Sequence, residues 1–528
     1  MTLSTIPVHE LPGASALYRD FVQKTGARIH ARLGDFRVRD ESWKRALASG
    51  GPVDPRLVDR IVSYSAELGA GERVLETARG LADASARAVI TGQQPGVAGG
   101  PLLSLYKAAT AVALAREVTS RWGTPCVPIF WLGSDDDDFT EIRELNVISS
   151  ALEVVSVSLD ASVYAPGRRV GDIDGSAALQ AWDAVASFLP SEENARAVRE
   201  WFREGDLGRT AARSIVALTG GNLIVVDGRE PLLRDAARDT LLEFFDQEDA
   251  IRDLVRGEGE ALEADGYHAQ LELGADSGLF VVAGGVRQRI PRDARPAARE
   301  AFERDIRLAT PGVVARTVVQ DAVFHPAAVV LGPAEIAYRA QLTRVYDLLR
   351  IPRPVVFPRL SATFVPPPVK AASEVCGTDP ALLATDPPQW VARTTEAAGD
   401  RRVADAARTL EDEFRAMADA FAAMASARLD ARAKEKLERR MADMIARVRA
   451  AAQAAVEQDA LAGAVRWPWL ANAVEMWVRN GEVQERFLAA TVPFSFHGDA
   501  AVSMVEAEAG AHVAGALDGQ VLHRVYSP

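Results

Sequence analysis

Two polar segments of the chain carry residues whose types and spacing could do chemistry. The first, TGQQPGVAGGP, occupies residues 91–101, and its four glycines would let the backbone approach a ligand closely. Its backbone amides could point at an anion, and Gln93 and Gln94 add side-chain amide donors and acceptors. The second, SDDDDF, occupies residues 134–139, and its carboxylates could hold a cation, an amine or sugar hydroxyls. The sequence therefore predicts a site with a cationic half and an anionic half.

Both segments follow apolar runs that predict strands. Residues 88–90 precede the first segment, residues 126–133 precede the second, and a helical stretch over residues 102–121 joins them, with Lys107 in its second turn. This order is typical of a strand, loop, helix and strand unit. In a parallel α/β sheet both polar segments would lie at the carboxyl edge, where such folds bind ligands.

Each segment also has an interpretation without chemistry. The first lacks the G-x-x-x-x-G-K-[ST] and G-x-G-x-x-G spacings of nucleotide-binding loops, and a structural turn would use the same glycines. The second could be a solvated loop after a strand. Two observations favour a functional site: both segments fall at the same predicted sheet edge, and Trp131 and Phe139 flank the acidic one tightly.

The composition excludes several classes of protein. A chain of 528 residues is expected to form two or three structural units. Its 60 basic and 73 acidic residues give a net charge of −13, which argues against nucleic acid as the main partner. No apolar run approaches the ~20 residues of a membrane span, and no signal-peptide pattern opens the sequence. The two cysteines, Cys126 and Cys376, cannot form a disulfide framework, and a cytoplasmic location is expected.

The remainder of the first 368 residues predicts a doubly wound α/β core. Helical periodicity dominates residues 10–85, and residues 270–290 alternate as in a hairpin around Gly284 and Gly285. Apolar runs that end in polar residues predict further strand ends at residues 222–227, 313–321, 329–335 and 354–363. Repeated units of strand, polar tip and helix favour this fold class.

The proline run at residues 366–368 predicts a domain boundary. Beyond it, apolar residues recur with alternating spacings of three and four, the heptad rule of packed helices. Two long helices joined near residues 426–430 are expected, either as a hairpin that packs on itself or as a dimer seam. The predicted domains are an α/β core, a helical coiled-coil domain and a C-terminal segment that packs back on the core, at residues 1–368, 369–465 and 466–528.

Six motifs together resemble one known family. In chain order they are TGQQPGVAGGPLLSLYK, PIFWLGSDDDDFTEI, RTVVQD, LGPAEIAYRAQL, VVFPRLSATFV and NGEVQERF. They resemble the bacillithiol biosynthesis cysteine-adding enzymes, the BshC family, from about residue 90 to about residue 490. The resemblance implies a Rossmann-like core with connecting-peptide insertions and an antiparallel coiled coil that makes a homodimer. It also implies that L-cysteine is added to glucosaminyl malate, which gives the thiol bacillithiol.

The resemblance also implies roles for residues on the motifs. Gln93 and Gln94, with the loop glycines Gly92 and Gly99, occupy the place of the signature histidines of the wider fold. Family members usually read Glu-Asp-His-Asp-Phe at the acidic tip, so Asp137 stands here in place of an imidazole that could titrate near neutral pH. The other motif positions, which the resemblance implies in substrate binding, are Arg316, Gln320, Glu335, Tyr338, Arg359 and Ser361.

Amide formation requires an activated cysteine carboxyl and a free amine, and the same residues suit this chemistry. A phosphate-bearing activator, ATP or another nucleotide, would suit the glycine loop, Lys107 and Arg359, because cations offset developing phosphate charge. An ammonium group would suit Asp136 or Asp138. The two carboxylates of malate would suit Arg316 or Arg359. No metal is implied, and the predicted catalytic residues are Gln93, Gln94, Lys107, Asp136 and Asp138.

Other interpretations stay open at this point. An acidic strand tip in an α/β fold also suits a nucleotidyltransferase or a sugar-nucleotide transferase that holds a divalent metal. The departure at Asp137 is compatible with a non-catalytic coiled-coil scaffold. Each arginine could be a structural ion-pair partner, and Lys107 could lie on a helix surface.

Overall fold

The computed structural model of the chain describes residues 2–23, 27–38, 41–426 and 429–527. The chain divides into two compact units, one of Met1–Phe364 with Asn480–Pro528 and one of Val365–Arg479. Residues 466–479, which the sequence assigned to the C-terminal segment, thus belong to the second unit. The predicted helix joint near residues 426–430 falls partly outside the described residues.

The described residues contain short strands in both the N-terminal and the C-terminal parts of the chain. In chain order the strands are β1 (Thr2–Pro7), β2 (Arg87–Gln93), β3 (Cys126–Leu132), β4 (Glu144–Ile148), β5 (Val154–Ser158), β6 (Ile224–Asp227), β7 (Leu279–Ala283), β8 (Val286–Arg289), β9 (Ala309–Pro311), β10 (Ala328–Leu331), β11 (Val355–Pro358), β12 (Ala362–Phe364), β13 (Val478–Arg479), β14 (Glu482–Val483) and β15 (Leu522–Tyr526).

Helices make up most of the remainder. They are α1 (Ala16–Gln23), α2 (Ala27–Leu33), α3 (Glu41–Ala48), α4 (Pro55–Glu67), α5 (Glu72–Arg79), α6 (Leu102–Trp122), α7 (Phe139–Ile142), α8 (Gly175–Ala186), α9 (Glu192–Arg199), α10 (Leu207–Leu218), α11 (Pro231–Ala236), α12 (Arg238–Asp246), α13 (Glu248–Ala264), α14 (Arg295–Arg304), α15 (Val313–Phe324), α16 (Pro333–Ala340), α17 (Thr343–Leu348), α18 (Pro367–Cys376), α19 (Leu382–Thr385), α20 (Pro387–Ala398), α21 (Arg401–Ser426), α22 (Ala431–Ala464), α23 (Gln484–Phe487), α24 (Val492–His497) and α25 (Asp499–Leu517). No helix of the described residues is long and apolar enough to cross a membrane.

A five-stranded parallel sheet forms the centre of the first unit. Its strand order is β11-β10-β2-β3-β6, and every neighbouring pair is parallel. The chain moves outward from β2 through β3 to β6, and it later returns to place β10 and β11 on the other side of β2. The order therefore reverses at β2, and the crevice beyond the carboxyl ends of strands at such a switch point is where open α/β sheets bind ligands.

The core around this sheet follows from continuous apolar runs. All seven residues of β3 are buried, as expected for a strand that is covered on both faces. Helix α6 is buried on most of its circumference, packs against β2, β3 and α25, and ends at Gly123, whose φ of 69° is the left-handed conformation typical of a helix end. Both elements confirm the unit predicted around the two polar segments.

The structure differs from the sequence-based prediction at two places in this unit. Residues 313–321, predicted as a strand with a polar end, form the first turns of α15. The prediction was wrong because their apolar residues recur with helical as well as strand-like spacing. The N-terminal residues, for which no strand was predicted, form β1, which pairs antiparallel with β15. The predicted hairpin at residues 270–290 is confirmed as β7 and β8.

The second unit is helical. Helices α21 and α22 pack against each other as an antiparallel hairpin, with Arg449 Nε 3.2 Å from Glu411 Oε2. At the base of this unit Trp390 is fully buried and stacks on Trp469 at 6.5 Å between ring centroids. Many large apolar side chains of the hairpin stay exposed, including Phe421 at 50% and Met424 at 72%.

Candidate active site

A cleft of about 550 Å³ opens at the carboxyl ends of β2, β3 and β10, where the strand order reverses. The two polar segments meet at this edge, since the Gly133 amide donates to the Gln93 carbonyl at 2.9 Å. Most residues predicted from the sequence line the cleft: Gly92, Gln93, Gln94, Lys107, Arg316, Gln320, Glu335, Tyr338 and Arg359. Four predicted residues lie outside its lining: Gly99, Asp136, Asp138 and Ser361.

Lys107 is a buried cation at the floor of the cleft. From the second turn of α6 its Nζ donates to the Gly92 carbonyl at 3.0 Å and to Gln93 Oε1 at 2.9 Å. The same Nζ lies 2.7 Å from Glu335 Oε2. The side chain is only 4% exposed, so the predicted alternative of a surface lysine is wrong. Its three acceptors satisfy a charge that would otherwise be costly to bury.

Gln93 is held in one orientation by charged neighbours on both sides. Its Oε1 accepts from Lys107, and its Nε2 donates to Gln94 Oε1 and to Glu141 Oε1, each at 3.1 Å. A cation on the oxygen side and a carboxylate on the nitrogen side fix which end of the amide points where. The arrangement links Glu335, Lys107, Gln93 and Glu141 into one polar chain across the cleft.

Glu335 connects this chain to a helix N-terminus. It sits in the first turn of α16, where its Oε2 also accepts from the Gly332 amide at 2.8 Å. Pro333 occupies the first helical position, which suits its fixed φ and missing N–H. Gly332, Pro333 and Ala334 line the cleft, so the partial positive charge of this helix end faces the cavity.

The acidic tip is neutralised by arginines. Asp136 Oδ1 accepts from Arg287 Nη1 at 2.8 Å and its Oδ2 from Arg316 Nη2 at 2.9 Å. Burial alone would raise the pKa of Asp136, but Arg316 and Arg287 lower it to about 2. Arg287 Nη1 also donates to Asp137 Oδ1 at 2.7 Å. The tip therefore does not supply the free anionic half that the sequence predicted.

Asp138 and Asp135 have structural partners as well. Asp138 is the N-cap of α7, where its Oδ1 accepts from the Glu141 amide at 3.2 Å. Asp135 is fully buried and pairs with Arg234 Nη2 at 2.7 Å. Within the described residues, no group of three or more histidine, cysteine, aspartate or glutamate side chains is placed to hold a metal ion.

Arg359 lies in the cleft wall with its guanidinium already paired. Its Nη2 donates to Glu485 Oε1 at 2.6 Å and its Nη1 to Glu485 Oε2 at 3.0 Å, a bidentate contact. Both residues are buried. Ser361 lies behind this pair, where its Oγ is 2.9 Å from His523 Nδ1 and 3.4 Å from Glu485 Oε2. Arg359 and Ser361 thus belong to one buried polar network.

The remaining predicted residues, Gln320, Tyr338 and Gly99, differ in what surrounds them. Gln320 donates from Nε2 to Asp321 Oδ1 at 3.1 Å, and burial raises the pKa of Tyr338 well above its usual range. Gly99 lies in a turn with φ of +88°, and a Cβ there would contact Leu218 at 3.3 Å and Ile215 at 3.4 Å. Gly99 is therefore required by the packing of the loop rather than by the cleft.

The sequence of the chain matches a known family over most of its length. The sequence model described as "Bacillithiol biosynthesis BshC, N-terminal Rossmann-like domain" matches residues 1–360. The chain belongs to the BshC family. The match confirms the resemblance found in the six motifs, and it makes the parallel sheet with its surrounding helices a Rossmann-like domain.

Individual BshC relatives support the assignment at moderate identity. The protein of Heliobacterium modesticaldum is 31% identical over 333 residues, which are 58% of this chain and 60% of that protein. The protein of Salinibacter ruber is 30% identical over 66% of this chain and 68% of its own, and that of Koribacter versatilis is 28% identical over 70% and 72%. Each is named "Putative cysteine ligase BshC". The match to the Heliobacterium protein thus spans about 60% of its length.

Several charged residues around the BshC site were not predicted from the sequence, and four of them bear on its chemistry. Glu141 and Arg486 line the cleft, whereas Arg287 and Glu485 pair with predicted site residues. Glu141 lies in the motif PIFWLGSDDDDFTEI, and Glu485 and Arg486 lie in NGEVQERF, so motif membership could have selected them. Arg287 lies outside all six motifs, and no signal in the sequence connects it to the tip.

Proposed function

We propose that this chain is a cysteine ligase of bacillithiol biosynthesis, which joins the carboxyl group of L-cysteine to the amine of glucosaminyl malate. The observation that carries the proposal is the convergence of BshC motif residues on one cleft. Gln93, Lys107, Arg316, Glu335 and Arg359 come from four separate motifs and line a cavity of about 550 Å³. This volume falls in the range of small-molecule sites. The names of the relatives support ligase chemistry.

Activation of the cysteine carboxyl is proposed to use ATP or another nucleotide. Glu335 joins Lys107 to the first turn of α16, so a buried ammonium group and a helix N-terminus adjoin in the cleft. Helix N-termini favour phosphate groups, because their backbone N–H groups and dipole carry partial positive charge. The activator would supply a phosphate leaving group on the cysteine carboxyl, and the N-terminal end of α16 would offset the charge that develops on it. Lys107 would hold Glu335 and Gln93 in place beside it.

The carboxylates of the malate moiety are proposed to bind Arg486 rather than Arg359. Arg359 already makes a bidentate contact with Glu485. Arg486 Nε lies 3.8 Å from Glu482 Oε1, and both side chains are more than half exposed. A guanidinium with so loose a partner can form the planar two-bond contact that a carboxylate offers.

The helical unit is proposed to form a coiled coil that makes a homodimer. Leu410, Met417, Phe421 and Met424 on α21 and Met444 on α22 are all at least 45% exposed. An exposed apolar surface of this kind marks an interaction site in a protein that stays in solution. A second copy of the chain offers the same surface.

The experiment that tests the function is a profile of low-molecular-weight thiols in the host organism. A deletion strain should lose the cysteine-containing thiol and accumulate its amine precursor, and the full chain should restore the thiol. The same strain complemented with Lys107→Met should make less than a tenth of the parent amount, because Glu335 and Gln93 lose their cationic partner. Unchanged thiol pools in the deletion strain would refute the function. Full restoration by Lys107→Met would instead favour a scaffold without catalysis.

A further inference from the structure

A carboxylate that the sequence analysis did not select stands at the end of the polar chain in the cleft. Glu141 lies on α7, lines the cavity, and accepts a hydrogen bond from Gln93 Nε2 at 3.1 Å. The short helix is well held. Asp138 caps it, and Phe139 stacks on Tyr164 at 4.8 Å with an interplanar angle of 4°. A side chain on such a support keeps its position, which catalysis by proton transfer requires.

Of the described carboxylates that line the cleft, which include Glu144 and Glu482, Glu141 is the one that Gln93 orients by a hydrogen bond. Several other titratable groups are poorly placed to accept a proton. None of the described residues that line it is a histidine or a cysteine. Glu335 is neutralised by Lys107 at 2.7 Å and caps α16. Asp136 and Asp137 are paired with Arg287 and lie outside the lining. Glu141 has an amide on one carboxylate oxygen and no cation in contact among the described residues.

We propose that Glu141 is the general base that takes a proton from the acceptor amine, a role that rests on the proposed ligase function. An ammonium group cannot attack a carbonyl carbon, because its lone pair is bound to a proton. Gln93 would orient the carboxylate, and Lys107 would orient Gln93, since the three groups form consecutive hydrogen bonds. Glu141 thus acts on the substrate, whereas Gln93 and Lys107 position the Glu141 carboxylate.

The charges around Glu141 suit this role. Partial loss of solvent in the cleft raises the pKa of the Glu141 carboxyl above its usual value, and the negative charges of Asp138 and Asp136 raise it further. Lys107 and Arg316 act in the opposite direction without cancelling the effect. A raised carboxyl pKa lies closer to that of an ammonium group, and proton transfer is more efficient when the two values approach each other.

Glu141 and the departing phosphate together remove two protons from the acceptor nitrogen. The acceptor ammonium gives one proton to Glu141, and the released lone pair attacks the carbonyl carbon of a cysteine whose carboxyl has been activated by a nucleoside triphosphate. The C–N bond forms, and the C–O bond to the phosphoryl leaving group breaks with its electron pair. The second proton of the nitrogen leaves with the departing phosphate, and Glu141 returns its proton to solvent.

Two amine acceptors distinguish the loss of a general base from the loss of the other catalytic steps. The purified full chain is given L-cysteine and ATP with either glucosaminyl malate or hydroxylamine, which is neutral near pH 7 and needs no deprotonation. Glu141→Gln should lower kcat with glucosaminyl malate by ~100-fold or more, the usual contribution of a general base. With hydroxylamine the variant should form cysteine hydroxamate within about threefold of the parent rate. Glu144→Gln, at another carboxylate of the cleft lining, is the matched control and should leave both rates near those of the parent.

The pH dependence gives a second measurement. The parent should lose kcat/KM as the pH falls through the pKa of Glu141, because only the carboxylate form accepts a proton, and Glu141→Gln should lack this acidic limb. Full activity of Glu141→Gln with glucosaminyl malate would overturn the assignment, as would an equal loss with hydroxylamine or in Glu144→Gln. If the parent forms neither product, the ATP-dependent ligase function itself fails, and the base assignment fails with it.

Discussion

Neutralising Glu485 should destabilise the first unit by about 3–5 kcal/mol, the usual cost of leaving one member of a buried ion pair without its partner. In Glu485→Gln the shape of the side chain is kept, but Arg359 loses the opposite charge. The two guanidinium contacts, at 2.6 and 3.0 Å, join side chains that are only 5% and 10% exposed. Solvent therefore cannot replace the missing carboxylate.

The free energy of unfolding is measured by urea titration, followed by circular dichroism. Replacing both partners, as Arg359→Met with Glu485→Leu, should recover most of the loss because no charge is then buried alone. The exposed pair of Arg199 and Asp183, at 2.7 Å with side chains 50% and 43% exposed, supplies the control. Asp183→Asn should leave the urea midpoint close to that of the parent, because solvent screens an exposed pair.

The pH dependence of the free energy of unfolding tests the same ion pair independently. Arg359 holds the pKa of Glu485 below its usual value although burial opposes this. The pair therefore contributes stability above the unfolded pKa of the carboxyl group, and the contribution is lost as the pH falls through the lower, folded value. Glu485→Gln should lack this part of the acid sensitivity. A loss under 1 kcal/mol, or a double variant no more stable than the single one, would refute the reasoning.

Three further predictions concern the substrate, the assembly and acid stability. Arg486→Ala should raise the KM for glucosaminyl malate about tenfold or more, because a charge-assisted hydrogen bond contributes ~1.5–3 kcal/mol. The KM for cysteine should stay unchanged. An unchanged KM for both substrates would contradict the prediction. Phe421→Glu with Met444→Glu should give monomers in sedimentation velocity, because both side chains are exposed on the hairpin. A monomeric parent would disprove the dimer but not the helical hairpin. Burial lowers the pKa of His512 and of His523 to about 4, so between pH 6.5 and this value the two imidazoles bind protons mainly in the unfolded chain. The urea midpoint should therefore fall between pH 7 and pH 5, and a constant midpoint would contradict this.

Much of the fold and part of the site could be predicted from the sequence, because the interactions that decide them are local. The apolar run that became β3 is buried along its whole length, and only a strand in the middle of a parallel sheet buries so short a run on both faces. The glycine loop, Lys107 and the tip follow one another within a single strand, helix and strand unit. Their meeting at one sheet edge therefore follows from chain direction alone.

Prediction was wrong where the local pattern permitted two structures. The segment at residues 313–321 has apolar residues at both helical and strand-like spacings, and packing in the folded unit selects the helix α15. Strand β1 was missed because its partner, β15, lies at the other end of the chain. A strand whose stability comes from a distant neighbour has little signal of its own.

The electrostatics of the site were decided only by the tertiary structure. Asp136 and Arg359 were predicted as charges for the substrate from their residue types and motif positions, but Arg287 is 151 positions from the first and Glu485 is 126 positions from the second. Glu141 became the candidate base because the fold places Gln93 beside it and brings no cation of the described residues into contact with it. A sequence shows which side chains can ionise. Whether a charge is free for a ligand depends on the neighbours that folding brings to it and on the solvent that folding removes.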